Sequence, residues 1–138
     1  MKVLLAADGS KFTKRMLAYV EDHDEWLGHQ YTVLTVNPAL PARAAAALSK
    51  KVVQEHYDEE AEKVFKPTRA SLTKRGIDAQ YVHKVGEPGE EIGEFARKGG
   101  FDLVVMGSHG HGALARLVMG SVTSRVLASC EVPLLIVR

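Results

Sequence analysis

Cysteine is nearly absent: Cys130 stands alone in 138 residues. A lone thiol excludes an intramolecular disulfide, which fits a reducing compartment. Long apolar runs are missing too, and nothing approaches the roughly 18 consecutive apolar residues of a membrane-spanning helix. The opening MKVLLAADGS turns polar too soon for a secretory leader. Neither sign of charge dominates, with 18 Lys and Arg against 17 Asp and Glu for a formal charge of +1. That balance lacks the basic face or stripe of nucleic-acid binders. Catalytic signatures are also absent. There is no G-x-x-x-x-G-K-[S/T], so no lysine is placed as in P-loop enzymes to reach β- and γ-phosphates. No Ser-His-Asp order or strained elbow motif appears. The expectation is a cytoplasmic protein with no nucleic-acid partner, no membrane span and no assigned catalytic residue.

What the chain does have is core-forming material. It is 46% hydrophobic and 25% charged, the balance of one ordinary globular domain over residues 1–138. No linker, low-complexity run or internal repeat interrupts it. Residues 3–7 (VLLAA) form a continuous apolar run, as suits a strand buried on both faces. Phe12, Met16, Leu17 and Val20 recur about one helical turn apart, and Gly28 is a natural end to that helix. Residues 31–36 (YTVLTV), rich in β-branched and aromatic side chains, read as a second strand. Residues 39–75 are the least defined. They hold an alanine-rich stretch at 42–48 and helical spacing over 52–65, with Pro67 breaking or kinking the pattern before it resumes to Gly76. A third strand follows at 80–85, a turn at 86–89 and a short helix at 90–98. A fourth strand at 101–106, a helix at 121–129 and a fifth strand at 132–137 complete the chain. Alternating strands and helices imply a Rossmann-like α/β fold: an open parallel five-stranded sheet with helices on both faces.

The most informative stretch is VMGSHGHGALARLVMGSVTSRV, residues 105–126. A buried strand ends at Gly107, Gly110 follows, and after nine more residues Gly120-Ser121 opens a helix. Backbone amides approach a phosphate closely only where no Cβ intervenes. A helix N-terminus adds unpaired N–H groups and partial positive charge. In open α/β sheets, ligands bind beyond the carboxyl ends of strands where the strand order reverses. A 3-2-1-4-5 order would make the first and fourth strands neighbours, so that Asp8 and Gly107 face one crevice. These residues make nucleotide binding the leading expectation.

At these positions the chain resembles the universal stress protein family. The resemblance spans essentially the whole chain: Asp8-Gly9-Ser10, Gly86-x-Pro88, the DLVVMGSHGHG block at 102–112, the GSVTSRVL block at 120–127 and the terminal VPLLIVR. The family's nucleotide-binding subclass carries G-x2-G-x9-G-[S/T], and Gly107, Gly110, Gly120 and Ser121 fill it without a gap. The resemblance implies that Asp8 meets ribose or adenine and that the Val36 backbone contacts the base. It places Met106 and Gly107 along the ribose and phosphate path. Gly110, Gly120, Ser121 and Val122 would cradle phosphate, Ser121 with a hydroxyl and Val122 with an amide. It further implies an ATP or AMP ligand and a homodimer joined through the last strand. Many members carry a bulkier basic residue where His111 stands, and a histidine there would make phosphate affinity pH-sensitive.

Several residues admit a plainer role. Asp8 can cap the helix that follows it, Ser121 can be an N-cap, and Gly107 and Gly110 can shape a turn. His109 and His111 suit a solvated loop better than a metal site. Glu90, Glu91 and Glu94, and the run HYDEEAE at 56–62, read as solvated helix faces. Cys130 reads as a packing residue. The terminal VPLLIV is an apolar sheet edge, and such edges are normally covered. Pairing with the same strand of a second copy would cover it, with Pro133 leaving one donor missing. The function expected is a nucleotide-binding stress-response module with a regulatory or signalling output. A nucleotide-free interaction module is one alternative. A slow ATPase, using a bound Mg²⁺ to polarise the γ-phosphate, or a nucleotidyl-transfer enzyme is another.

Overall fold

A computed structural model describes residues 1–111 and 118–138. Gly112, the last residue of the 102–112 block, and the part of the nine-residue spacer at 113–117 lie outside the described residues.

Five strands, β1 (Lys2–Ala6), β2 (Gln30–Asn37), β3 (Ala79–Val85), β4 (Leu103–Gly107) and β5 (Leu134–Val137), form one sheet in the order β3-β2-β1-β4-β5. Every neighbouring pair is parallel. This is the 3-2-1-4-5 order expected from the sequence. Among the described residues five α-helices accompany the sheet: α1 (Lys11–Asp22), α2 (Ala42–Ala46), α3 (Lys50–Lys74), α4 (Pro88–Lys98) and α5 (Ser121–Ser129).

The sheet separates two apolar layers. On one face Val3, Leu5 and Val33 pack against Met16, Leu17 and Val20 of α1 and Ala61, Val64, Phe65 and Leu72 of α3. On the other, Leu4, Leu34 and Val104 pack against Ile92 and Ala96 of α4 and Val126 of α5. β1 feeds both layers, and Val3, Leu4 and Leu5 have no exposed surface. That is the physical reason its sequence shows no polar alternation.

The first helix is shorter than its apolar spacing predicts. It stops at Asp22 because His23 turns extended (φ −126°, ψ 117°). The His23 Nδ1–H donates to the carbonyl of Tyr19 at 2.7 Å, closing the last turn. A 3₁₀ turn at Asp24–Trp26 bridges to Gly28, whose φ of +81° serves the entry into β2 rather than the helix end.

Pro67 neither ends nor interrupts α3, which is continuous over 25 residues. The proline lies on the solvent-facing side, where water can satisfy the carbonyl it leaves without a donor. On the buried side the Thr68 hydroxyl donates to the Val64 carbonyl at 2.8 Å. The expected turn at 86–89 is likewise half helix. Pro88 occupies the first helical turn, where its fixed φ and missing N–H cost nothing. Glu87 caps it, accepting from the N–H groups of Gly89 (3.2 Å) and Glu90 (2.7 Å).

Candidate functional site: a cleft at the β1/β4 switch point

β1 and β4 run side by side in register from Val3↔Leu103 to Ala6↔Met106, so their carboxyl ends open at the same level. Their connections leave in opposite directions, to α1 on one face and α5 on the other. The gap between them is a cleft of about 770 Å³, within the range of roughly 300–1,000 Å³ typical of small-molecule sites. All eight residues singled out in the sequence, Asp8, Val36, Met106, Gly107, Gly110, Gly120, Ser121 and Val122, line it.

Asp8 is held by its own loop. Its Oδ1 accepts from the Ser10 amide at 2.9 Å and from the Thr13 hydroxyl at 2.9 Å. The Asp8 amide in turn donates to Thr13 Oγ1 at 3.0 Å. The cap of α1 is Ser10, whose Oγ accepts from the amides of Phe12 and Thr13. Asp8 is thus not the helix cap, and its carboxylate is aimed across the cleft mouth. A Cβ built on Gly110 would stand 2.7 Å from Asp8 Oδ2. Gly110 has no side chain because the carboxylate fills that space.

The other two glycines are small for different reasons. A Cβ on Gly107 would sit 2.6 Å from Phe12 Cβ and 3.1 Å from the Phe12 carbonyl carbon and oxygen. The first turn of α1 therefore rests directly on the end of β4. A Cβ on Gly120 would meet His109 Cα at 3.0 Å. The Gly120 amide donates to the Ser108 carbonyl at 2.7 Å, drawing the loop back on itself before α5 begins.

Gly120 is also the N-cap of α5 and makes no side-chain cap. Ser121, exposed, sits at the first helical position and is not the N-cap. The hydroxyl of Thr123, two positions on, donates to the Gly107 carbonyl at 3.0 Å and ties the first turn of α5 to the end of β4. The opening amides of α5 thus line the cleft with no side-chain cap among the described residues, an arrangement that favours an anion.

Two histidines close one side. His111 Nε2–H donates to the Asp8 carbonyl at 2.7 Å. His109 Nδ1 lies 2.9 Å from Ser108 Oγ, and its ring lies against Phe12, tilted by 36° with centroids 4.9 Å apart. Among the described residues no group of three or more His, Cys, Asp or Glu could hold a metal.

Sequence reasoning missed the far wall. Glu60, Lys63 and Val64 of α3 line the cleft, as do Asn37, Pro38, Pro88 and Ile92. The run at 56–62 is therefore not wholly a solvated face, because Glu60 stands at the cleft. Glu60 and Lys63 are paired at 2.7 Å. The bond to Lys63 and its charge hold the Glu60 carboxyl below its ordinary range, and Glu60 holds the ammonium above its own. Thr13 was also overlooked. Its buried hydroxyl fixes Asp8, but in sequence it is one more polar residue on a helix.

A parallel 3-2-1-4-5 sheet with helices on both faces and a cleft at its switch point defines a Rossmann-like α/β protein. Comparison with known proteins gives the family: the model of the universal stress protein family matches residues 1–138, and the chain belongs to that family. Universal stress protein MJ0531 of Methanocaldococcus jannaschii is 30% identical over 143 residues, covering 99% of this chain and 81% of its own. The universal stress protein UspA from Lactobacillus plantarum superposes with a TM-score of 0.82 at 19% identity, over 100% of this chain and 97% of that one. A universal stress protein family protein from Arabidopsis thaliana, solved with AMP bound, gives a TM-score of 0.69 at 14% identity, over 99% and 90% of the two chains. At these identities the two structures support the fold. No helix among the described residues is long and apolar enough to cross a membrane.

Proposed function

We propose that the cleft binds an adenine nucleotide, ATP or AMP, and that the protein is a regulatory or signalling module of the stress response rather than an efficient enzyme. One observation carries this reading. The first turn of α5 has only a glycine at its cap and opens into a cleft that is also lined by Asp8, from the loop after β1. A phosphate supplies the charge that the helix end favours. A carboxylate supplies the acceptor that ribose hydroxyls or an exocyclic amine need. The AMP-bound Arabidopsis relative is in keeping with such a ligand.

In this reading Asp8 and the Val36 backbone meet the nucleoside, and Met106 and Gly107 line the path to the phosphates. Gly110, Gly120, Ser121 and Val122 surround the phosphates. A polyphosphate would bring Mg²⁺, held chiefly by its own oxygens. The protein would act in the cytoplasm as a homodimer paired through β5. Binding would shift a conformational or association equilibrium through unequal affinity for its two states.

The test begins with purified protein. Denaturation should release adenine nucleotide into the supernatant, or added nucleotide should raise the melting temperature in a concentration-dependent way. Gly120→Val should abolish binding, because a branched Cβ would collide with the His109 backbone and deform the loop. Retained affinity in that variant would overturn the reading.

A further inference from the structure

We propose that Lys63 is the cation that recognises the phosphate of the bound nucleotide, and that Glu60 is its stand-in counterion when the cleft is empty. The inference rests on the nucleotide reading above and adds to it a specificity-determining residue on α3.

Among the described residues lining the cleft, Lys63 is the only lysine or arginine. The glycine loop side contributes His109 and His111, each already engaged with a neighbour. A nucleotide phosphate therefore has amides on the α5 side and, within the described cleft, one permanent positive charge on the other.

At Gly9 the loop after β1 meets both α3 and the loop after β4. A Cβ on Gly9 would stand 3.4 Å from Val64 Cγ2 of α3 and 3.9 Å from His111 Nε2 of the glycine loop. Val64 is buried at that contact, and the exposed Lys63 next to it on α3 lines the same cleft as Gly110, Gly120 and Ser121. Lysine has a long flexible stem with a compact charge at its tip, so it can swing without moving the helix.

Its present partner is weakly held. The Lys63 side chain is 70% exposed and that of Glu60 37% exposed. An i,i+3 pair so open to water is strongly screened. Phosphate offers lysine a higher charge density than one carboxylate does. This exchange of partner leaves Glu60 in the cleft without its counterion, where it repels the polyanion and offsets part of the gain, so neutralising Glu60 favours phosphate binding.

The experiment measures binding of adenosine, AMP and ATP to the full chain by calorimetry, for wild type, Lys63→Gln, Lys63→Arg and Glu60→Gln. Wild type should bind ATP more tightly than adenosine, with a salt dependence. Lys63→Gln should weaken ATP about three- to tenfold, as for loss of one screened charge-assisted contact, and leave adenosine unchanged. Lys63→Arg should restore most of the ATP affinity, and Glu60→Gln should raise it. Equal ATP affinity in wild type and Lys63→Gln overturns the role of Lys63 while leaving nucleotide binding intact. So does parallel weakening of adenosine and ATP, which would mark Lys63 as merely structural. A wild type that binds none of the three overturns the nucleotide reading and this inference with it.

Discussion

The imidazole of His111 reaches back 103 residues to the backbone carbonyl of Asp8, at 2.7 Å. A carbonyl can only accept, so Nε2 carries the hydrogen. This bond joins the loop after β4 to the loop after β1, across the cleft mouth. His111→Ala should cost little global stability, about 1 kcal/mol or less for one exposed hydrogen bond. Its effect should be local: faster amide exchange at Gly9 and Ser10. Unchanged exchange at both amides would show that the bond does not organise the loop.

The triangle of Asp8, Ser10 and Thr13 should be more sensitive. Thr13 is buried, and its hydroxyl both donates to the Asp8 carboxylate and accepts from the Asp8 amide. Thr13→Val keeps the shape but removes the acceptor of the Asp8 amide and one of the two donors to the Asp8 carboxylate, leaving the Ser10 amide on Oδ1. A loss of about 1–3 kcal/mol is expected from denaturant midpoints, together with weaker nucleotide binding as Asp8 loosens. Thr13→Ser should recover most of both. A Thr13→Val protein as stable as wild type would contradict this account.

Gly107 and Gly110 should separate stability from binding. Gly107→Ala drives a Cβ into Phe12 at 2.6 Å, against the backbone of α1. Overpacking of that kind costs about 1–3 kcal/mol, visible as a lowered unfolding midpoint. Gly110→Ala presses instead on the carboxylate of Asp8, a movable side chain. It should reduce nucleotide affinity while leaving the midpoint nearly unchanged. The reverse pattern would show that these glycines have been assigned to the wrong neighbours.

Acid should loosen the start of α4. Burial opposes ionisation of Glu87. The amides of Glu90 and Gly89 and the Arg125 guanidinium together outweigh it, so the carboxyl titrates below its ordinary 4.5. A carboxyl depressed in the native state adds stability above its unfolded-state value and loses it as pH falls through the native one. Stability should therefore decline as pH drops below 4.5, and Glu87→Gln should remove part of that slope. Urea midpoints at several pH values check this, and identical slopes in the two proteins would refute the assignment.

β5 is a four-residue edge strand whose Leu134–Val137 side chains are all partly exposed. Pairing of this edge with a second copy predicts twice the monomer mass by light scattering at micromolar concentration. A charge at Leu135 or Val137 should shift the mass toward monomer. A wild-type monomer would remove the dimer from the proposal.

Much of the fold was legible along the chain. β1 is continuously apolar because it is buried on both faces, and alternating segments with turn residues between them imply a parallel sheet. The spacing of Gly107, Gly110, Gly120 and Ser121 is a local pattern, so one wall of the cleft could be read directly. Where expectation failed, side-chain bonding and exposure decided, neither of which the apolar spacing records. The end of α1 depended on a bond from the His23 ring, and α3 ran through Pro67 because that residue faces water.

What the sequence determined by itself was the alternation of elements, the glycine spacing and the acid that follows the first strand. These rest on local backbone sterics and on apolar periodicity, which need no distant partner. What only the tertiary structure decided was what each glycine makes room for. Phe12 lies against Gly107, the Asp8 carboxylate against Gly110 and the His109 backbone against Gly120. It also decided that Thr13 steadies Asp8 and that Glu60 and Lys63 stand at the cleft. Those facts depend on how α1 and α3 are laid across the sheet, and packing of that kind is a relation between surfaces distant in the chain.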